Sequence, residues 1–120
     1  MRALLLRAST EPSCAIIVSM FVTIVEAPIE PDREGDLRAA WDEITTKTLP
    51  DGLIESSLLR TEQGTWRIVT VWDSKDAVLA MRATGEQPAA LVMFERAGAE
   101  PTVSMSTVEA RVASHGLSSA

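Results

Sequence analysis

The sequence contains no tyrosine, no asparagine, one cysteine and one histidine in its 120 residues. The single cysteine, Cys14, excludes an internal disulfide. A zinc or transition-metal site needs three or four converging ligands, and His115 alone cannot supply the nitrogen ligands of such a site. Carboxylates by themselves could bind calcium or magnesium, but the chain has no EF-hand spacing. We therefore predict that the protein has no metal site.

Basic residues are also few, with 11 Lys and Arg against 17 Asp and Glu and a formal net charge of −6. They are scattered singly rather than clustered, which argues against binding to nucleic acid. The proportions of hydrophobic (46%) and charged (23%) residues are ordinary for a globular protein. A chain of this length predicts one domain with a core of modest size.

Long apolar runs are missing from the first part of the chain. Leu4–Leu6 and Ala15–Val18 are too short to span a membrane, and charged residues and a proline between them interrupt the apolar core of an export signal. We predict that residues 1–19 are a disordered extension or precede the true start at Met20, with a poor export signal as the alternative. Residues 113–120 are expected to form a flexible tail. The acidic charge and the lack of a clean export signal favour a cytoplasmic protein with no membrane partner, and a lone cysteine is compatible with this.

Strand and helix signals follow one another from Met20 onward. Phe21–Ala27 is rich in β-branched residues and predicts a first strand. A helix follows, because apolar residues recur at three- and four-residue spacing up to the break at Pro50-Asp51-Gly52. The stripe expected to face the core consists of Leu37, Trp41, Ile44 and Thr48.

The middle of the chain predicts a hairpin, with strands at Leu53–Arg60 and Thr65–Trp72 joined by a short loop. Alternate residues of the second of these strands point to opposite faces of a sheet. One set is Trp66, Ile68, Thr70 and Trp72, and the other is Arg67, Val69 and Val71. Both faces are largely apolar, so each needs a cover.

Two further helices and a last strand complete the predicted elements. Asp73 or Ser74 caps a helix that ends near Ala83. A short helix opens at Pro88, and Thr102–Arg111 is the predicted fourth strand.

This order of elements predicts the fold class. A βαββαβ succession over residues 20–112 folds into a ferredoxin-like α+β domain, with a four-stranded antiparallel sheet and its helices on one face. The other face would leave apolar side chains of several strands in water. We therefore expect a homodimer that packs sheet against sheet, as a dimeric α/β barrel.

The segment Val71-Trp72-Asp73-Ser74-Lys75-Asp76-Ala77 resembles the antibiotic biosynthesis monooxygenase (ABM) family of the dimeric α/β-barrel superfamily, as does the turn Pro50-Asp51-Gly52-Leu53. The resemblance covers residues 20–112. One group of that family oxidises aromatic polyketides with oxygen and without flavin, haem or metal, because the substrate anion itself activates oxygen. Another group binds and degrades haem.

The missing residue types separate these two groups. Haem degradation uses an asparagine, which this chain lacks, and a histidine in the helical region, where residues 75–98 contain none. Both groups use the tryptophan that Trp72 matches. The resemblance therefore implies an oxygenase without a cofactor, which acts on a small aromatic molecule and oxygen.

Three residues are candidates for catalysis, and of these only Trp72 is implied by the resemblance itself. Trp72 would line the substrate pocket, and the guanidinium of Arg82 would stabilise an oxyanion on the substrate. Glu26, at the end of the first strand, would accept the substrate proton if it were buried. The structural alternatives are core packing for Trp72, an ion pair with Glu86 for Arg82, and a solvated surface carboxylate for Glu26.

Four apolar residues are candidate substrate contacts, and core packing is the alternative for each. Trp66 would extend an aromatic wall beside Trp72, and methionine sulfur would suit an adaptable pocket. The four are Trp41, Trp66, Met81 and Phe94.

Two functions stay open at this point. The first is the ABM-type monooxygenase, and the second is a non-catalytic dimeric barrel that binds a small ligand or serves as an assembly module. The absence of tyrosine and asparagine, which the polyketide group often uses near its pocket, favours the second. A catalyst requires a solvent-reaching cavity beside Trp72 with a titratable group inside. A purely structural barrel requires the large side chains around Trp72 to pack together without a void.

Overall fold

The computed structural model describes residues 20–112, and the sequence predictions for residues 1–19 and 113–120 lie outside this range. In chain order its elements are β1 (Phe21–Pro28), a 3-10 turn (Pro31–Arg33), α1 (Glu34–Thr45), β2 (Leu53–Arg60), β3 (Thr65–Trp72), α2 (Lys75–Ala83), α3 (Ala89–Arg96) and β4 (Thr102–Thr107). This succession confirms the predicted ferredoxin-like α+β fold. No helix in residues 20–112 has the length and apolar character needed to cross a membrane.

The four strands form one antiparallel sheet in the order β2-β3-β1-β4. Thr70 on β3 lies opposite Thr23 on β1 and opposite Ser56 on β2. Residues directly opposed in a sheet point to the same face. Ser56, Thr70 and Thr23 therefore form a row across three adjacent strands.

The helices cover the face of the sheet that carries the two strand tryptophans. One core cluster is centred on Leu37 and Phe94, which are both 0% exposed, and includes Trp66 and Ile68. A second, smaller cluster contains Phe21, Trp72 and Val78, with Met81 packed against it. The domain therefore has two apolar centres on one side of the sheet.

The other face of the sheet is partly exposed and carries an apolar patch, with polar residues around it. Val22 and Ile24 on β1 lie beside Val71 and Val69 on β3, and all four are half-buried. Leu59 on β2 is 46% exposed. This outer face, defined by these five residues, has no covering element within residues 20–112.

The first helix ends earlier than predicted, at Thr45 instead of just before Pro50. The hydroxyl of Thr45 donates to the carbonyl of Trp41 (2.6 Å), and that of Thr46 donates to the carbonyl of Glu43 (2.8 Å). Such bonds compete with the helical pattern, and β-branched threonines add little to helix stability. Thr48 therefore lies after the helix and is exposed, so its predicted place in the core stripe was wrong.

The last strand is also shorter than predicted, because β4 ends at Thr107 instead of Arg111. Thr107 lies opposite Phe21, the first residue of β1, so the pairing of the two strands ends there. One further bond follows, from the amide of Val108 to the carbonyl of Met20 (3.0 Å). The length of β1 therefore sets the end of β4.

Candidate functional site

A cavity of about 260 Å³ lies between the sheet and the helices. This sheet–helix cavity is larger than an engineered apolar cavity of about 150 Å³ that holds benzene. Val25 and Ile68 of the first core cluster line it together with Trp72 and Val78 of the second. The void therefore lies between the two apolar centres and has room for a ligand larger than one aromatic ring.

Every helix contributes to the wall of the cavity that faces the sheet. Trp41 lines it from α1, Met81 from α2 and Met93 from α3, while Trp72 lines it from the end of β3. Large apolar and aromatic side chains with a few polar groups are typical of small-molecule sites. The lining therefore suits a planar apolar ligand.

Trp72 is held in one orientation by a buried hydrogen bond. Its indole Nε1 donates to Oγ1 of Thr23 at 3.0 Å, across the pair of central strands. The residue is 4% exposed, so this bond satisfies an indole N–H that water does not reach. The ring of Trp72 is thus a fixed part of the cavity wall.

The row of Ser56, Thr70 and Thr23, which we call the hydroxyl row, supplies polar groups to the sheet wall of the cavity. The hydroxyls of Ser56 and Thr70 lie 2.8 Å apart, and either one could be the donor. Thr70 and Thr23 are only 6% and 9% exposed. Sequence reasoning did not select these residues. The available signal was a threonine at the core-facing position between Ile68 and Trp72 on β3.

The charged residues of the lining are Arg82 and Glu86, and both are exposed. Within residues 20–112 Arg82 makes no ion pair or side-chain hydrogen bond, so the pair with Glu86 that we considered as an alternative is not formed. Neighbouring Gln87 donates from Nε2 to Oε2 of Glu95 at 2.7 Å. A cation without a partner among the described residues thus lies at the solvent side of the cavity.

Four of the seven predicted site residues meet at this cavity: Trp41, Trp72, Met81 and Arg82. Phe94 is 0% exposed and lies in the first core cluster, outside the cavity lining. Trp66 is also outside the lining and 2% exposed. The structure therefore divides the predicted aromatic wall into a cavity part and a core part.

Trp66 has polar partners of its own. Its Nε1 donates to Oε2 of Glu34 at 3.2 Å, and the same oxygen accepts from Nε of Arg60 at 3.2 Å. The guanidinium carbons of Arg38 and Arg60 lie 5.0 and 5.9 Å from the centre of the indole ring, within range of a cation–π interaction. These contacts join the start of α1 to the sheet.

Glu26 lies on the outer face of the sheet, away from the cavity. Its carboxylate pairs with the guanidinium of Arg67, the residue opposite it on β3. The alternation along β1 explains this position, because its neighbours Val25 and Ala27 are buried on the helix side. Among the described residues, the carboxylate that lines the cavity is that of Glu86.

Within residues 20–112, no three His, Cys, Asp or Glu side chains come together as a metal ion would require. The polar side chains of the lining are hydroxyls on the sheet and near the ends of two helices, one amide, one carboxylate and one guanidinium. This set can donate hydrogen bonds and stabilise an anion.

Comparison with known proteins places the fold in a family. The model of the antibiotic biosynthesis monooxygenase family matches residues 20–91, which is more than half of the chain. No curated protein matches the chain in sequence.

Solved structures share the fold at low sequence identity. An alanine variant of SnoaB, a cofactor-independent oxygenase from Streptomyces nogalater, superimposes with a TM-score of 0.60 at 13% identity, covering 78% of this chain and 97% of SnoaB. A protein of unknown function from Nitrosomonas europaea gives a TM-score of 0.61 at 16% identity, with coverages of 82% and 98%. Rv0793 from Mycobacterium tuberculosis gives 0.55 at 21% identity, with coverages of 81% and 99%.

Proposed function

The chain belongs to the antibiotic biosynthesis monooxygenase family, and we propose that it is a monooxygenase that oxidises a small aromatic, polyketide-like substrate without a cofactor. The observation that carries this proposal is the sheet–helix cavity beside Trp72, with Arg82 at its solvent side. A core packed without a void around Trp72 would have favoured a purely structural barrel. SnoaB, which shares the fold, is a cofactor-independent oxygenase, and this adds support.

In the proposed reaction the substrate supplies all the electrons that oxygen needs. A phenol or anthrone loses a proton to give a delocalised anion, which adds to oxygen and forms a carbon–oxygen bond. Protonation gives a hydroperoxide, whose O–O bond breaks with loss of water to leave a quinone. One oxygen atom enters the product and the other becomes water, so no external reductant is required.

The residues of the cavity would act on the anion rather than on oxygen. The guanidinium of Arg82 would stabilise the substrate oxyanion, because it has no internal anionic partner within the described residues. Trp72, Trp41 and Met81 would hold the ring and exclude water from the reacting carbon. The proton would pass to water or to Glu86, the carboxylate of the lining. The base role predicted for Glu26 stays a prediction, and its position on the outer face does not support it.

Oxygen uptake by the purified protein, free of metal and flavin, tests the proposal with a panel of anthrones and hydroquinones. We expect turnover above the uncatalysed rate, reduced at least tenfold in Arg82→Gln, an estimate of roughly 1.4 kcal/mol or more of lost oxyanion stabilisation. Trp72→Phe should also lower turnover, and a loss of turnover in Glu26→Gln would support the base role predicted for Glu26. Absence of turnover across the panel, or full turnover in Trp72→Phe, would contradict the proposal.

A second candidate function is a ligand-binding protein without catalysis. It is favoured by one observation, because both charged residues of the lining, Arg82 and Glu86, are exposed rather than buried. Charged groups stabilise a transition state most strongly in a site that excludes water. Ligand binding without oxygen uptake would support this alternative.

We propose further that two chains form a homodimer by packing their outer faces together. Half-buried Val22, Ile24, Val69 and Val71 and the exposed Leu59 would lose their remaining contact with water in this arrangement. Sedimentation equilibrium tests it, and Val71→Glu should shift the chain towards the monomer. We also propose that the protein is cytoplasmic, which its acidic charge favours and its single cysteine allows.

A further inference from the structure

We propose that the hydroxyl row orients the ligand in the sheet–helix cavity by donating hydrogen bonds to a carbonyl or oxyanion carried by an otherwise apolar ring system. The inference rests on the proposed function only in taking an aromatic ligand for this cavity. It adds the residues that would fix the position of that ligand, which are Ser56, Thr70 and Thr23.

The position of the row is unusual for polar side chains. On β3, Thr70 lies between Ile68 and Trp72 on the face that packs against the helices, and all three are buried. Burying a hydroxyl is unfavourable unless its hydrogen-bonding groups are satisfied. The hydroxyl row on this wall therefore requires hydrogen-bond partners.

A count of protons shows that residues 20–112 supply too few hydrogen-bond partners for the row. One hydroxyl of the Ser56–Thr70 pair donates to the other, which uses one of their two protons. Thr23 accepts from the indole of Trp72, and within residues 20–112 its own proton has no acceptor. Two O–H donors thus stay available on the cavity wall, and each calls for an acceptor.

The geometry around Trp72 relates these donors to a flat ligand. Thr70 and Trp72 point into the cavity from the same strand two residues apart, a separation of roughly 7 Å. A ring system that lies against the indole can therefore place an oxygen substituent on the row. Because Thr23 already accepts a bond from Trp72, its own O–H is strengthened as a donor by cooperativity.

Such a row favours ligands that carry a hydrogen-bond acceptor. An oxygen substituent that meets the row satisfies the two donors, whereas a hydrocarbon of the same shape leaves them buried without acceptors. Sites built on buried hydrogen-bonding groups reject analogues that lack the matching group for this reason. We therefore expect the cavity to prefer an aromatic ketone or phenolate over the corresponding hydrocarbon.

The test measures binding without turnover, by equilibrium dialysis of the full chain against α-tetralone and tetralin. These probes share a bicyclic shape and differ by one carbonyl oxygen, which can only accept. In the double variant Ser56→Ala/Thr70→Val, we expect the preference for α-tetralone relative to tetralin to fall roughly 2- to 12-fold, the value of one ordinary hydrogen bond. Affinity for tetralin should stay the same or increase.

The double variant is chosen because it removes both members of a pair and keeps the shape of the wall, which is close to neutral for folding. Thr23→Val is the second test, although loss of the acceptor for Trp72 destabilises the fold. Ser57→Ala is the matched control, since Ser57 is the next residue on β2, is exposed and points to the outer face. It should leave the binding of both probes unchanged.

The outcomes separate this inference from the proposed oxygenase activity. Loss of the ketone preference in the double variant supports the role of the row even if anthrones are not oxidised. An unchanged preference overturns the inference even if the wild-type protein consumes oxygen. Failure of the wild-type protein to bind either probe at millimolar concentration also overturns it.

Discussion

Replacing Gly52 with alanine should destabilise the domain far more than the same change at Gly64. Both glycines have positive φ angles, +86° and +90°, which L side chains rarely adopt. In each case alanine costs about 1–2 kcal/mol for the left-handed backbone, offset by about 0.4–1 kcal/mol because the unfolded chain also loses freedom. The backbone contribution to the free energy of unfolding is therefore nearly equal at the two sites.

The surroundings of the two glycines differ. A Cβ at Gly52 would lie 2.5 Å from Cβ of Ala77 and 3.0 Å from Oδ1 of Asp73, whereas no atom of residues 20–112 lies within 4 Å of a Cβ at Gly64. The chain has little freedom to move away, because the carbonyl of Gly52 accepts from the amide of Asp73 at 2.8 Å. Overpacking of this kind typically costs about 1–3 kcal/mol more.

We therefore expect Gly52→Ala to lower the free energy of unfolding by about 2–4 kcal/mol and Gly64→Ala by about 1 kcal/mol. Urea denaturation followed by far-ultraviolet circular dichroism measures both, at one fixed protein concentration because a dimer would add to the apparent stability. Equal losses for the two variants would refute the reasoning, since the close contacts with Ala77 and Asp73 distinguish Gly52 from Gly64.

Three further predictions concern polar contacts. Glu34→Ala should cost about 2–4 kcal/mol of stability, because the buried indole N–H of Trp66 loses its acceptor and Arg60 loses its ion-pair partner. Glu34→Gln keeps an acceptor oxygen and should cost about 1 kcal/mol. Equal losses for the two variants in urea denaturation would contradict this reasoning. Thr23→Val should cost about 1–3 kcal/mol of stability, because the N–H of Trp72 is left without an acceptor. Thr107→Val, on exposed β4, should be nearly neutral, and thermal unfolding compares the two variants. The pKa of Glu43 is lowered from its ordinary value of 4.5, first by a hydrogen bond from Arg96 and then by the charges of Arg96 and Lys47. The ionised carboxylate of Glu43 therefore stabilises the fold above pH 4.5, and this stabilisation is lost as the pH falls through the lowered pKa. In Glu43→Gln, stability measured from pH 5 to about pH 3 should therefore fall less steeply than in the wild-type protein.

The sequence was sufficient for the succession of elements and for most of their boundaries. The limits of β2 and β3 were predicted to the residue, because alternation and the glycine-containing loop mark them clearly. The ends of α1 and β4 were predicted too late. Local pattern does not reveal that Thr45 and Thr46 bond back to the helix, or that β4 stops where β1 begins.

The candidate site was harder to predict because it depends on which face each strand presents. Trp66 and Trp72 share a face of β3, yet Trp72 meets the cavity and Trp66 the core under α1. Adjacent residues of a strand point to opposite faces, so Glu26 must lie on the outer face once its neighbour Val25 is known to be buried. The hydroxyl row depends on strand register, which no single segment of sequence contains.

The division of the three tryptophans between core and cavity gives the protein an internal optical reference. Trp66 is sealed at 2% exposure beneath α1, so its emission reports whether the domain is folded. Trp72 and Trp41 line the cavity, so an aromatic guest would quench them first. In a variant that keeps only Trp66, the fluorescence would change on unfolding but not on binding of an aromatic ligand. Intrinsic fluorescence can therefore distinguish an occupied cavity from a loosened fold without any attached label.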